Sequence, residues 1–335
     1  LSSSYKILEM ALWKSLMTDA SRRRAEWPDR RSVGADSPLW SVSQAGFVEH
    51  RSCAQQAFAL QRCRELARAR NEPLFAMFLD LKKAYDSVPV ARLMRLIVEK
   101  GRVDARLVPV LWASLNNHRR LLDLPDCADG WLSVNRGLPQ GAVAAPFLFN
   151  IFIDSLSDVL ADAVRVNNVG LCALHSSCST SHLLYADDTA LLSRSWSDMR
   201  VLLAACERWA ADTDMSFAAS KSFAMILELP RGASQAAQRR LIRDACSEGD
   251  NIRFANAVVE RLASFKYLGV HFGQSLLLDK GASLFLQRDR GRLERAKSVE
   301  RCARFALAPS RGVSCRVGVH IVLTSLVSSL LFGCE

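Results

Sequence analysis

Two acidic strand ends, far apart in the chain, constrain this sequence more than any other feature. Residues 74–80 (LFAMFLD) are an apolar run closed by Asp80, and residues 183–192 (LLYADDTALL) are two apolar runs flanking Asp187 and Asp188. Runs of this length fit buried strands, the second pair forming a hairpin with acids at its tip. A carboxylate at the end of a buried strand is costly unless something compensates it. Two such ends brought side by side repel, unless a divalent metal lies between them. Magnesium suits that position, because it takes one or two carboxylates and completes its shell with waters and phosphate oxygens; two such ions clamp the attacking and leaving oxygens of phosphoryl transfer. The plain alternative is structural, since an Asp at a strand end is commonly a turn residue or a helix cap. On a regular strand Asp187 and Asp188 point to opposite faces, so both reach one site only near the turn.

Around these ends the pattern is an α/β (α+β) mixture without internal repeats. Helices are expected over 5–17, 52–70, 87–101, 144–160 and 197–212, and strands over 74–80, 222–229 and 265–272. Residues 137–140 form a turn, 171–182 a small-residue loop and 230–250 a polar segment, and from 278 onward the chain is helical and basic. Residues 317–334 are nearly free of charge but hold His320, Thr324 and three serines, so a buried helix is expected rather than a membrane span.

Composition narrows the partners. Half of the 335 residues are apolar and 23% charged, which excludes a disordered tail, a collagen-like rod or a small disulfide scaffold. The net charge of +10 suits a polyanion, nucleic acid before an anionic membrane surface. The ten cysteines include no CxxC, and in so long a chain they are expected as reduced thiols in an intracellular setting. The chain opens on Leu1 without a signal peptide pattern, and both ends are expected to be cuts in a longer protein.

Residues 78–88 (FLDLKKAYDSV), 137–156 (GLPQGAVAAPFLFNIFIDSL) and 183–192, in this order, resemble motifs A, B and C of reverse transcriptases, in particular those of non-LTR (LINE-like) retrotransposons. The resemblance extends to QAGFVEHRS (44–52), to FAASKSFAMIL (217–227, similar to motif D) and to FKYLGVHF (265–272, similar to motif E). LSSSYKILEMAL resembles the start of the family's fingers and LLFGCE its thumb, so nearly the whole chain is covered. It implies a right-hand polymerase fold with fingers over 1–73, palm at 74–90, connecting helices over 91–136, palm again over 137–274 and a partial thumb over 275–335.

The resemblance also implies roles. Asp80, Asp187 and Asp188 would bind two Mg2+ ions, with Mn2+ as a substitute, that activate the primer 3′-hydroxyl and hold the nucleotide triphosphate. Leu81, Tyr85, Gln140 and Gly141 would meet the incoming nucleotide, Tyr85 as an aromatic gate against a 2′-hydroxyl. Lys221 would protonate the departing pyrophosphate. Phe265, Tyr267, Leu268 and Gly269 would form a primer grip. The implied partners are an RNA template, a DNA primer and dNTPs. Val48 departs from the pattern, standing where related sequences usually carry Arg, and the family's basic fingertip residues are expected upstream of Leu1.

Two weaker signals remain. Residues 275–320 carry ten Lys and Arg against four acids, with Arg288, Arg292 and Arg295 sharing one helix face and Lys297, Arg301 and Arg304 another. A thumb helix tracking a nucleic-acid backbone needs such a stripe, and a solvated face is the alternative. Cys172, His175, Cys178 and His182 follow a C-x2-H-x2-C-x3-H spacing that matches no dependable zinc finger. The rivals to a reverse transcriptase are a catalytically inactive or domesticated relic that binds nucleic acid, and an RNA-dependent RNA polymerase with Asp86 as the second acid of motif A.

Overall fold

The computed structural model describes residues 40–100, 103–116, 118–121, 131–134, 136–139, 141–169, 172–175, 178–232 and 252–273. Gln140, the opening helix, the basic stripe from Arg288 to Arg301 and the apolar stretch 317–334 lie outside them.

The first helix, α1 (Cys53–Arg70), starts at a capping box in which Ser52 and Gln55 satisfy each other's backbone N–H groups, and stops at a left-handed Asn71. Strand β1 (Leu74–Leu79) follows, then a short turn of helix, α2 (Ala84–Ser87), the amphipathic helix α3 (Val90–Lys100) and the short apolar helix α4 (Val108–Leu115). A hairpin of β2 (His118–Leu121) and β3 (Trp131–Val134) leads to α5 (Ala145–Asn167). Next come β4 (Cys172–His175) with β5 (Cys178–Thr180), β6 (His182–Tyr185) with β7 (Asp188–Ser193), then α6 (Trp196–Thr213) and β8 (Phe223–Glu228). The described chain closes with β9 (Ile252–Phe254), β10 (Ala257–Arg261), β11 (Ser264–Tyr267) and β12 (Val270–Gly273).

Six strands form the main sheet in the order β6-β7-β1-β8-β10-β9, antiparallel except where β10 runs parallel to β8. β1 lies inside this sheet, which explains its unbroken run of apolar residues: every side chain is buried, on alternating faces. Phe75, Met77 and Leu79 join one core, with the inner faces of α3, α5 and α6. Leu74, Ala76 and Phe78 join a second, with Leu60, Cys63 and Ala67 of α1 and the apolar side of β11–β12. Burying each large side chain on both faces contributes about 1.5–3 kcal/mol.

Three expectations need correction. The segment 171–182, expected as a loop, contains the β4–β5 hairpin. Residues 265–272, expected as one strand, form a hairpin whose turn is Leu268–Gly269. The helix expected over 144–160 runs on to Asn167, its last turns carrying a surface Asp162–Arg165 pair before a left-handed Asn168 stops it. Among the described residues no helix is long and apolar enough to cross a membrane.

Candidate active site

The β1–β7 register brings the acids together. Phe78 pairs with Ala190 and Leu79 with Thr189, so one further step sets Asp80 beside Asp188. Tyr185 pairs with Asp188 across β6–β7, leaving Ala186 and Asp187 as the two-residue turn. Asp188 shares the strand parity of Ala190 and Leu192, and thus the face of the second core. Asp187, in the turn, is free of that alternation.

The electrostatics agree. The Asp188 carboxyl is raised to about 6, first by desolvation and then by the charges of Asp187 and Asp80. Its edge is open to solvent, so the crowding comes from the chain packed behind it. Asp80 is raised as well, chiefly by desolvation, with Lys221 opposing the rise and Asp187 adding to it. Two tyrosines flank the acids from opposite faces. The Tyr85 hydroxyl is pushed up to about 12 by burial and then by Asp187. Tyr267 is pushed up by burial and then by Asp188.

The acids are coupled without closing on one point. Among the described residues no group of three or more His, Cys, Asp or Glu is already arranged around a metal position. The donor set still fits magnesium, which takes only one or two carboxylates from a protein and keeps water or phosphate oxygens for the rest. A divalent cation would also relieve the repulsion that raises Asp188.

The remaining expected residues divide. Asp80 is tied through its backbone: its N–H donates to Ser222 Oγ (3.3 Å) and its carbonyl accepts from Ala218 N (2.7 Å). This places the short 3-10 turn Ala219–Lys221 alongside, with Lys221 Nζ 3.8 Å from Asp80 Oδ2 on a side chain that is 75% exposed. Tyr85 stacks on Phe149 at 4.7 Å, and its carbonyl accepts from Leu138 N, which lays the 136–139 segment against α2. Gly141 is exposed and left-handed with open space around it. Leu81 is buried in the first core, so its side chain does not face the acids' open side.

In the β11–β12 hairpin, Phe265 stacks on Phe78 at 4.4 Å. Tyr267 is 3% exposed with its hydroxyl buried and unpaired, while Leu268 and Gly269 form the turn. Val48, the departure from the family pattern, is a core residue. His182 has both ring nitrogens engaged, Nε2 with Ser157 Oγ (2.7 Å) and Nδ1 with Ser181 Oγ (2.9 Å), which withdraws it from the Cys/His spacing as a ligand.

Sequence reasoning assigned no role to the polar groups behind the turn. Gln44 Oε1 accepts from Gly46 N (2.7 Å) and from Ala186 N (3.1 Å), and Asn150 Nδ2 donates to the Gly46 carbonyl (2.7 Å). Gln56 Nε2 donates to the carbonyls of Ser43 and Leu184. The available signal was a polar stripe, Asn150, Asp154 and Ser157, on an otherwise buried helix.

The family model for reverse transcriptase (RNA-dependent DNA polymerase) matches residues 3–272. The chain belongs to the reverse transcriptase family. Its curated relatives include the putative 115 kDa protein of the type-1 retrotransposable element R1DM of Drosophila melanogaster, 26% identical over 59% of this chain and 17% of that protein. They also include the Pol polyprotein of the type-1 retrotransposable element R2 of Nasonia vitripennis, 25% identical over 50% of this chain and 16% of the polyprotein. The chain spans about a sixth of the length of these relatives. Telomerase from Candida tropicalis, solved in complex with a TWJ fragment of telomeric RNA, shares its right-hand polymerase fold; the TM-score is 0.51 and the identity 10%, over 95% of this chain and 46% of telomerase. Reverse transcriptases as a family use divalent metal ions, and nucleic acid is the partner this membership supports.

Proposed function

We propose that this domain extends a DNA primer on an RNA template by adding dNTPs, with Asp80, Asp187 and Asp188 holding two Mg2+ ions. The observation that carries the reading is the convergence of these acids from two sequence-distant strands at one end of the sheet. When bound, the ions supply charge neutralisation at the phosphates and lower the pKa of the primer hydroxyl.

The chain's own groups do the rest. Asp80 anchors through the backbone bridge to Ala218 and Ser222, so its carboxylate keeps its place beside β7. Tyr85, stacked on Phe149 with its hydroxyl toward Asp187, is the aromatic surface a ribose would meet, and it discriminates against a 2′-hydroxyl by contact. Lys221 is close enough to Asp80 to reach the leaving phosphate, and its exposed side chain has the freedom to deliver a proton there. Tyr267 is buried, so in the β11–β12 hairpin the turn at Leu268 and Gly269 meets the primer, with Phe265 and Tyr267 as its foundation. Gln140 and Gly141 would lie under the nucleotide, and Arg288, Arg292, Arg295, Lys297 and Arg301 would track the duplex backbone, as the resemblance implies; of these only Gly141 is among the described residues.

The test is primer extension on an RNA template with Mg2+, dNTPs against NTPs, wild type against Asp187→Asn. The expected result is DNA product that the substitution abolishes. Extension that persists in Asp187→Asn would remove the assignment of the acids.

A further inference from the structure

We infer that Gln44 is a positioning residue for the acid-bearing turn, and that its side-chain carbonyl sets where Asp187 and Asp188 stand and so how tightly they bind a divalent cation. The inference rests on the reading of Asp80, Asp187 and Asp188 as metal ligands.

Four observations carry it. Gln44 is fully buried, and its Oε1 accepts from two backbone N–H groups, those of Gly46 and Ala186. Both neighbours are donors, so the amide orientation follows from chemistry: a reversed amide would set NH2 against N–H. Ala186 is the first residue of the Ala186–Asp187 turn and has φ +54, a conformation unfavourable for a residue with a Cβ. Gln44 therefore accepts a hydrogen bond from the turn at its strained residue, the one immediately before Asp187.

The segment that delivers Gln44 is itself built for the purpose. Residues 41–46 lie along the polar stripe of α5: Asp154 Oδ1 accepts from Ser41 N (2.9 Å), Ser157 pairs with Ser41 Oγ (2.7 Å), and Asn150 holds Gly46. On its other side the segment runs along β6, with Leu184 N donating to Ser43 O (2.8 Å) and Ala45 N donating to Leu184 O (2.9 Å). Gly46 lies so close to the turn that a Cβ there would overlap Ala186 N and stand 2.9 Å from its Cα. Gln44 Nε2 and Asn150 Oδ1 are buried without a partner among the described residues, so the brace rests on Gln44 Oε1 and Asn150 Nδ2, and leaving the Ala186 N–H unpaired would cost about 1–3 kcal/mol. Partners that orient metal ligands from behind typically change affinity by roughly 10–100-fold.

The experiment uses Gln44→Met, which keeps volume and removes the acceptor, and three readouts. Amide exchange of the peptide covering 182–189 is expected to rise roughly 5–10-fold. Mn2+ affinity, read by electron paramagnetic resonance without nucleic acid, is expected to fall about 10-fold. The thermal midpoint reports that the variant is folded. A folded Gln44→Met with wild-type exchange and wild-type Mn2+ affinity overturns the inference. Should Gln44→Met not fold, Gln44→Glu carries the test, because it retains the acceptor: protection of 182–189 is expected to persist, and its loss in a folded Gln44→Glu overturns the inference. Asp187→Asn separates the two readings: if that variant binds Mn2+ as wild type does, the metal assignment fails, while the exchange result still decides the role of Gln44 at the turn.

Discussion

Two hairpins with two-residue turns meet near the candidate active site, and their turns are made in opposite ways. In β11–β12, Tyr267 and Val270 close over Leu268–Gly269, both left-handed at φ +45 and +87. That mirror-image turn matches the twist of paired strands, and glycine accepts its second position without strain. In β6–β7, Tyr185 and Asp188 close over Ala186–Asp187, where only Ala186 is left-handed and no glycine is present. The first turn has a glycine at its second position, although Leu268 is left-handed at its first as Ala186 is. The second is shaped from outside by Gln44, Gly46 and Asn150. On the proposed metal role of Asp187 and Asp188, this turn has given up the residues that would make it turn, and the missing specification returns as a buried brace from another part of the chain.

The comparison breaks most severely at Gly46. Gly46→Ala places a methyl group into the backbone of Ala186, which must shift, and a stability loss of about 2–3 kcal/mol is expected in urea denaturation. Gly269→Ala strains only a left-handed position and should cost about 1–2 kcal/mol. Amide exchange across 182–189 tells the two apart: it rises in Gly46→Ala and stays at the wild-type level in Gly269→Ala. If both variants loosen 182–189 equally, the two hairpins are one cooperative unit and the contrast is wrong.

The difference also explains what was legible in the sequence. The β6–β7 hairpin and β1 stood out because unbroken apolar runs ended in acids, and the burial of β1 on both faces is the physical reason for such a run. The three acids stand out in the sequence as strand ends, but their role as metal ligands and that of Tyr85 as a gate come from the resemblance to reverse transcriptases. The β11–β12 hairpin reads as one strand in the sequence because a single glycine, between Leu268 and Val270, is all that marks its turn. β9 and β10 escaped because they are short and alternate with exposed side chains, so neither run is apolar enough to see. Gln44 was invisible as a brace because burial of a polar side chain is decided by what packs against it. The nearest sequence signal, Asn150, Asp154 and Ser157 at helical spacing, lies on a different element.

A second contrast is one of charge, and it predicts a pH dependence. Asp188 is raised from an ordinary 3.8 to about 6 in the folded protein, so the native state takes up its proton at higher pH than the unfolded chain does. Stability therefore falls as pH rises from about 4 to 6, and the penalty is fully present above that window. Asp80 is raised too and adds in the same direction. In metal-free protein, Asp188→Asn should raise the thermal midpoint by a few degrees at pH 7 and by nothing near pH 4. The β11–β12 turn carries no acid, so Leu268→Asn should shift the midpoint equally at both pH values. A pH-independent gain from Asp188→Asn would mean that packing, and not charge, strains the end of β7.

The smallest effect tests the brace most finely. Ala186→Gly removes the strain of a left-handed alanine, worth about 1–2 kcal/mol, but frees the unfolded chain by about 0.4–1 kcal/mol and loses a buried methyl worth about 0.8 kcal/mol. In the wild type these terms nearly cancel, and a change within about 0.5 kcal/mol is expected. The Gln44→Met background differs, because nothing then holds the alanine in place. There the glycine should be favourable and should recover part of the lost protection across 182–189. Equal effects in the two backgrounds would mean that Ala186 and Asp187 form the turn unaided, as Leu268 and Gly269 do. A larger gain without Gln44 would place the specification of the turn in the brace, where the absence of glycine from Ala186–Asp187 says it must lie.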